Sequence, residues 1–262
     1  MTDIIRFTSK NNLEKEIEEL RIEISMAILE HDELLHIHCK NIEAAYFLAF
    51  GSLELQIYQV EMEWLRLRRK LELLIAARNH KLAPDLVTIE EQLDQEFLDY
   101  QEKLDEMFRK MNEALERSEM GVLSEEESQK HKQLYRQIVK QLHPDLNPNI
   151  SEAQEQLFFK AVEAYEKGMT EVLEMIAETV SSPTTETLPI KDSLMDEKKR
   201  LEAIVKKIQN QIANIKRDFP YLFKEFMKDE ETRMVHREEL EQELDYYKEG
   251  IKQYETAISY YL

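Results

Sequence analysis

Glycine and proline are scarce in this sequence. Only 4 glycines and 6 prolines occur among 262 residues, whereas 34% of the residues are charged. Tight turns and β-hairpins depend on glycine and proline. The composition therefore argues against a β-rich fold and favours long helices. Because 42% of the residues are hydrophobic, the chain can build cores, which excludes a disordered tail.

Cysteine is almost absent, and long apolar runs are missing. The single cysteine, Cys39, has no partner for an internal disulfide and no metal-type spacing, which is typical of a reducing compartment. The N-terminal residues contain no apolar signal segment. No uncharged apolar window reaches the roughly 18 residues that a membrane span needs. We therefore expect a cytoplasmic protein that is neither secreted nor membrane-spanning.

Positive charge is in deficit. The chain carries 35 Lys and Arg against 54 Asp and Glu, a formal net charge of -19. This charge repels nucleic acid and anionic lipid, so we expect neither as a partner unless a local basic patch departs from the average. The sequence also lacks a Gly-rich phosphate loop, a nucleophile elbow and a cysteine pair. We therefore expect no cofactor and no enzymatic activity.

Hydrophobic residues recur at alternating steps of four and three along most of the chain, a pattern typical of the seam between packed helices. One stripe covers 13–38 and a second covers 53–74. They predict two helices packed side by side, with a turn near 39–41. Stripes at 201–215 and 240–261 predict a second pair, an antiparallel hairpin.

Capping boxes mark the starts of the helices between these two pairs. They are formed by Thr88 with Glu91, Ser124 with Glu127, and Ser151 with Gln154. The third helix is expected over 88–118 and the fourth to Leu142. The fifth is expected to continue through Gly168 to Ile176, because one glycine costs a packed helix only about 1 kcal/mol.

The fourth helix reverses the charge of its surroundings. No acid occurs from Ser128 to Pro144. Lys132, Arg136 and Lys140 are spaced by four and share one helix face, opposite an apolar face. This predicts a cationic ridge that leads to His143-Pro144-Asp145. The alternative interpretation is a solvated face at a helix C-terminus, where cations complement the helix dipole.

The elements around this tripeptide resemble the J domain of DnaJ-type co-chaperones over about residues 107–180. The matching residues are Tyr135-Arg136, His143-Pro144-Asp145, Asn147-Pro148, Phe158 or Phe159, Glu163-Ala164-Tyr165, and Gly121-Val122 after the preceding helix. The chain departs from the family pattern at three points. The family's short first helix is replaced by the end of the third helix. Leu146 stands where lysine is common, and no Gly/Phe-rich or zinc-binding segment follows.

The resemblance implies a function for these residues. His143, Pro144 and Asp145, together with Lys132, Arg136 and Lys140, would bind a DnaK-type heat-shock ATPase chaperone and promote its ATP hydrolysis. Asp145 would offer its carboxylate to an arginine of that chaperone. The J module itself hydrolyses nothing. The resemblance also implies a packed core made of Tyr135, Ile138, Leu142, Phe158, Val162 and Tyr165.

These patterns together predict an all-α fold in which long antiparallel helices or coiled coils flank a J-domain-like helical hairpin. The expected parts are an N-terminal helix bundle over 1–119, a J-like domain over 107–180 that shares the end of the third helix, a Ser/Thr/Pro-rich linker over 181–190, and a C-terminal hairpin over 191–262. The flanking modules would select a client or a location. Their apolar stripes also raise the possibility of a homo-oligomer.

The sequence is also compatible with two other hypotheses. The first is a coiled-coil scaffold or adaptor with a degenerate J-like domain and no chaperone coupling, which Leu146 and the replaced first helix favour. The second is a metal site, because Glu33 and His36 have the spacing used by di-iron helices. That site needs a second Glu-x-x-His, which the sequence lacks, so we expect no metal.

Overall fold

The structure is a computed structural model that describes residues 2–80, 85–119, 124–180 and 191–262. Within these ranges the chain forms helices joined by short turns, and no strand occurs there. The predicted all-α class is therefore confirmed. The predicted linker at 181–190 and the Gly121-Val122 pair lie outside the described residues.

Eleven α-helices, two π-helical segments and one 3₁₀ turn are found in the described ranges. They are α1 (Thr2–Asp32), a π-helical segment (Glu33–Cys39), α2 (Lys40–Tyr46), a second π-helical segment (Phe47–Gly51), α3 (Ser52–Asn79), α4 (Leu86–Glu96), α5 (Leu98–Glu119), α6 (Glu125–Leu142), α7 (Glu152–Glu166), α8 (Thr170–Val180), α9 (Lys191–Ile215), a 3₁₀ turn (Tyr221–Phe223), α10 (Lys224–Lys228) and α11 (Glu230–Ser259). None of the helices in the described part of the chain is long and apolar enough to cross a membrane.

The helices form two units, and each unit takes its segments from distant parts of the chain. The first unit comprises Met1–Lys40 and Met120–Leu222, and the second comprises Asn41–Glu119 and Phe223–Leu262. These boundaries differ from the predicted bundle over 1–119 and the predicted C-terminal hairpin over 191–262. The physical reason is that α9 packs on α1, whereas α11 packs on α3.

The first unit is built around one core. α1 lies along α9, and α6 packs against α1, α7 and α8. Apolar side chains at helical spacing on α9 meet those of α1. They include Leu201, Val205, Ile208 and Ile212 from α9 with Ile17, Ile24 and Ile28 from α1.

The flanking contacts show that α1 and α9 run parallel. Lys198 contacts Glu16 at 2.9 Å, and Lys216 contacts Glu30 at 2.8 Å. The sequence separation is 182 for the first pair and 186 for the second, so both helices advance in the same direction. The sequence predicted instead that the 13–38 helix pairs with the 53–74 helix and that the 201–215 helix forms an antiparallel hairpin with the last helix, so the predicted partners of α1 and α9 are wrong.

The second unit has three smaller clusters along α3. α11 packs against α3, and α4 and α5 pack back on it. Arg237 contacts the backbone of Ala49 and Tyr247 contacts Glu61, with sequence separations of 188 and 186. This pair is also parallel. The apolar stripes of α1 and α9 pack on each other, and so do those of α3 and α11. These stripes therefore no longer argue for a homo-oligomer.

The turn expected near 39–41 is absent. The described backbone is helical through Cys39 and Lys40, and π-helical segments flank α2. No glycine or proline lies at this point to break a helix. A π-helical turn instead accommodates an extra residue without ending the helix.

Two other helices differ from their predicted extents. The expected third helix is divided at Phe97, and it begins at Leu86 because the Asp85 carboxylate caps it, accepting the N–H groups of Val87 and Thr88. The expected fifth helix ends at Glu166 because Gly168 has a φ of 69°. Glycine adopts this left-handed conformation without the strain that a Cβ would cause.

Candidate functional site

Helix α6 begins with a complete capping box. The Ser124 side chain accepts the Glu127 N–H, and the Glu127 carboxylate accepts the Ser124 N–H. The first turn of α6 is acidic and Lys140 lies in its last turn, an arrangement that complements the helix dipole. The capping box therefore defines where the helix starts.

The buried face of α6 packs against α7 in an antiparallel hairpin. The rings of Tyr135 and Tyr165 stack with centroids 4.1 Å apart, and those of His143 and Phe158 meet edge to face at 5.1 Å. The six residues assigned to the J-like core all contribute to one cluster. Tyr135, Ile138, Leu142, Phe158 and Tyr165 are buried, and Val162 is half-buried beside them.

Polar contacts attach this hairpin to α1. The Tyr135 hydroxyl donates to the Asp32 carboxylate at 2.6 Å, and Asp32 is 9% exposed. Burial, followed by the Asp32 charge, raises the pKa of Tyr135 far above its ordinary value. The phenol therefore stays protonated and keeps donating. The end of the third helix, which was expected to provide this support, belongs to α5 in the other unit.

His131 links α6 to the junction of α7 and α8. Its Nε2 lies 3.0 Å from the Tyr165 carbonyl, and its Nδ1 lies 3.0 Å from the Thr170 hydroxyl. Because a carbonyl only accepts, Nε2 carries the proton and Nδ1 accepts from Thr170. Burial lowers the pKa of His131, so the neutral ring is the stable form.

The cationic ridge is partly neutralised. Lys132 contacts Glu33 at 2.5 Å, and Lys130 is paired with Glu174. Arg136 is half-buried, and its Nε has no hydrogen-bond partner. Lys140 is exposed. Of the three predicted ridge residues, Arg136 and Lys140 therefore keep a charge that no carboxylate of the described residues neutralises.

The His143-Pro144-Asp145 loop is held by its own backbone. The His143 carbonyl accepts N–H groups from Leu146 at 3.0 Å and Asn147 at 2.9 Å. The Asn147 side chain donates to the Lys140 carbonyl at 3.0 Å, which satisfies one carbonyl at the helix end. Pro144 cannot continue the helix, and the residue before it, His143, is extended with ψ 126°. The loop is preorganised.

His143 orients the Asp145 backbone. The Asp145 N–H donates to His143 Nδ1 at 3.1 Å, so Nδ1 acts as an acceptor. Burial lowers the pKa of His143, and the Asp145 charge partly opposes this shift. The neutral ring therefore keeps both the Asp145 contact and its packing on Phe158.

Helix α9 holds the other side of the loop. Arg200 donates to the Asp145 carbonyl at 2.8 Å and forms a two-pronged contact with Glu197 at 2.8 and 2.9 Å. Hydrogen bonding to Arg200 lowers the pKa of Glu197. Lys207 Nζ lies 3.9 Å from the Asp145 carboxylate, and the Asp145 side chain is 33% exposed. Asp145 is thus neither free nor fully masked.

Leu146 is the loop's anchor. It is 5% exposed and belongs to the core of the first unit. Leucine at this position therefore ties the loop to the core of the first unit.

Sequence reasoning missed α9 as part of this site. The available signal was a second basic stretch, because the 20 residues from Lys198 to Arg217 contain seven Lys and Arg and one acid, Glu202. Residues that contact the loop from 55 positions away were not identifiable from spacing alone.

The residues considered for a metal site have other contacts. Glu33 lies beside Lys132 and also 3.5 Å from His38, whereas His36 lies 3.6 Å from Glu166. Among the described residues, no group of three or more His, Cys, Asp or Glu side chains is placed to hold a metal ion.

No protein-family model, no curated protein and no solved structure matches this chain significantly.

Proposed function

We propose that this chain is a cytoplasmic J-like co-chaperone. In this proposal α6 and the His143-Pro144-Asp145 loop bind a DnaK-type ATPase chaperone and stimulate its ATP hydrolysis. The chain itself catalyses no reaction, and its helical modules select a client or a location. Neither nucleic acid nor a membrane is a partner in this function.

The observation that carries the proposal is the preorganised loop at the exit of a basic helix. His143 Nδ1 accepts the Asp145 N–H, and the His143 carbonyl accepts the N–H groups of Leu146 and Asn147. A loop already held in one shape loses little entropy on binding. Asp145 keeps a third of its side-chain surface exposed, so its carboxylate is reachable by a partner cation.

The test is a single-turnover ATPase assay with a purified DnaK-type chaperone and the full chain. We expect stimulation by the wild type and its loss in Asp145→Asn and His143→Gln. Asp99→Asn is the matched control, because Asp99 is exposed on α5 in the other unit. Absence of stimulation by saturating wild-type protein contradicts the proposal.

A second function is favoured by one observation, the contact of Arg200 and Lys207 with Asp145. If these cations hold the loop permanently, the chain is a helical scaffold or adaptor whose J-like domain is degenerate. In that case a stable non-chaperone partner is retained in pull-downs by full-length Asp145→Asn. The full chain is needed because α9 and α11 belong to different units.

A further inference from the structure

From Lys198 onward, helix α9 and the two residues that follow it form a basic stretch in an acidic chain. The sequence from Lys198 to Arg217 carries seven cations and one acid, whereas the formal net charge of the whole chain is -19. Such a local reversal creates a positive field that the rest of the chain opposes. The position of each cation decides whether this field is available to a partner.

Two of these cations are used within the first unit. Lys198 contacts Glu16 at 2.9 Å, and Lys216 contacts Glu30 at 2.8 Å, both on α1. Lys198 also lies 3.7 Å from Glu202. These two lysines bind carboxylates of α1 and so help to hold α9 against α1. They are therefore not available to a partner.

A second group faces the loop. Arg200 binds the Asp145 carbonyl at 2.8 Å while Glu197 holds its guanidinium, and Glu197 also lies 3.6 Å from Arg21 of α1. These successive contacts fix the position of α9 relative to the loop and to α1. Lys207 follows Arg200 by seven residues, so the two share one helix face. Its side chain is 62% exposed beside Asp145.

The exposed cations continue beyond the loop. Lys206 is exposed next to Lys207, and Lys199 precedes Lys206 by seven residues and is also exposed. On the other side of the loop, Lys140 is exposed in the last turn of α6, and its carbonyl accepts from Asn147. Lys140 of α6 and Lys207 of α9 thus both contact residues of the loop, Lys140 through its carbonyl and Lys207 through its side chain.

The α9 cations add to the positive charge that α6 offers to an acidic partner. Lys132 and Lys130 are paired with Glu33 and Glu174, so within α6 the unneutralised positive charge is that of Arg136 and Lys140. A chain with a net charge of -19 is otherwise repelled by an acidic surface. The α9 cations restore the attraction at the position where the loop must dock.

We propose that the docking surface extends from α6 across the loop onto α9, and that Lys206 and Lys207 bind the acidic face of the DnaK-type chaperone. This inference rests on the proposed function and names the part of the surface that the basic helix α6 does not supply. The occupant is an acidic protein surface that contacts the loop at the same time.

The test compares Lys206→Glu/Lys207→Glu with the wild type in the single-turnover ATPase assay over a range of concentrations. We expect the concentration for half-maximal stimulation to rise about five- to tenfold at low salt, with the maximal stimulation unchanged. The difference shrinks as salt rises, because the contacts are exposed. Lys206→Gln/Lys207→Gln is expected to show a smaller change in the same direction.

The matched control is Lys248→Glu/Lys252→Glu on α11, which changes the net charge equally on exposed residues of the other unit. We expect it to behave as the wild type. Equal curves for Lys206→Glu/Lys207→Glu and the wild type, with stimulation still lost in Asp145→Asn, overturn the inference and leave the proposed function intact. A wild type that stimulates nothing overturns both. If Lys206→Glu/Lys207→Glu loses binding to RNA or to anionic vesicles while its stimulation of the chaperone is unchanged, α9 serves another partner and the inference is overturned.

Discussion

At the scale of single residues, Leu146 shows how the loop is attached to the core. It is 5% exposed and follows Asp145 directly. Leu146→Ala should lower the free energy of unfolding of the first unit by about 2–4 kcal/mol, because truncation leaves a cavity. Urea denaturation measures this change. Leu222→Ala, at a position that is 62% exposed, is the control and should change it little. Equal effects of the two variants contradict a core role for Leu146.

Gly250 permits a close approach between α11 and α3. A Cβ at this position would lie 2.7 Å from Cδ1 of the Trp64 indole. Gly250→Ala should therefore destabilise the second unit by about 1–3 kcal/mol despite the better helix propensity of alanine. Trp64 is the only tryptophan, so its fluorescence reports this unit during denaturation. An unchanged unfolding midpoint and emission spectrum rule out the close contact.

At the scale of helices, α6 depends on α1 for its attachment. The Tyr135 hydroxyl donates to buried Asp32, which also lies 2.8 Å from His31 Nδ1. Tyr135→Phe removes one donor from a buried carboxylate and should cost about 1–3 kcal/mol of stability. A double-mutant cycle with Asp32→Asn isolates the pair. Additive effects of the two substitutions indicate that the pair does not interact.

Features of these helices that depend on neighbouring residues were predictable from the sequence, whereas features that depend on distant residues were not. The starts of α6 and α7 depend on adjacent residues, and both capping boxes are present as predicted. The helix partners depend on distant residues. A stripe of apolar residues specifies a buried face, but the same stripe fits a parallel or an antiparallel neighbour. The parallel pairing of α1 with α9 was therefore missed.

The same distinction between local and distant residues applies to the candidate site. The basic face of α6 and the position of the loop lie within a short stretch of sequence. The contacts that determine their charge and exposure come from Asp32, Glu33, Arg200 and Lys207, which are 55 to 103 residues away for those that hydrogen-bond. Spacing within one helix carries no information on such contacts.

At the scale of the whole molecule, the two units differ in their buried ionisable groups. His131 and His143, whose pKa values are lowered chiefly by burial, both belong to the first unit. In the unfolded chain these histidines return to their ordinary pKa of 6.5. The stability of the first unit is therefore linked to pH.

The direction of this dependence follows from proton uptake. Below the ordinary pKa the unfolded chain binds protons that the folded unit does not, so the first unit loses stability as pH falls towards the lowered values. Hydrogen exchange, corrected for intrinsic rates, should show α6 and α7 losing protection between about pH 7.5 and about pH 5.5, ahead of α3 and α11. His131→Gln removes one titrating group and should reduce the slope, while its amide can replace both ring contacts. Equal loss of protection in both units, unaffected by His131→Gln, means that the buried histidines do not control this transition.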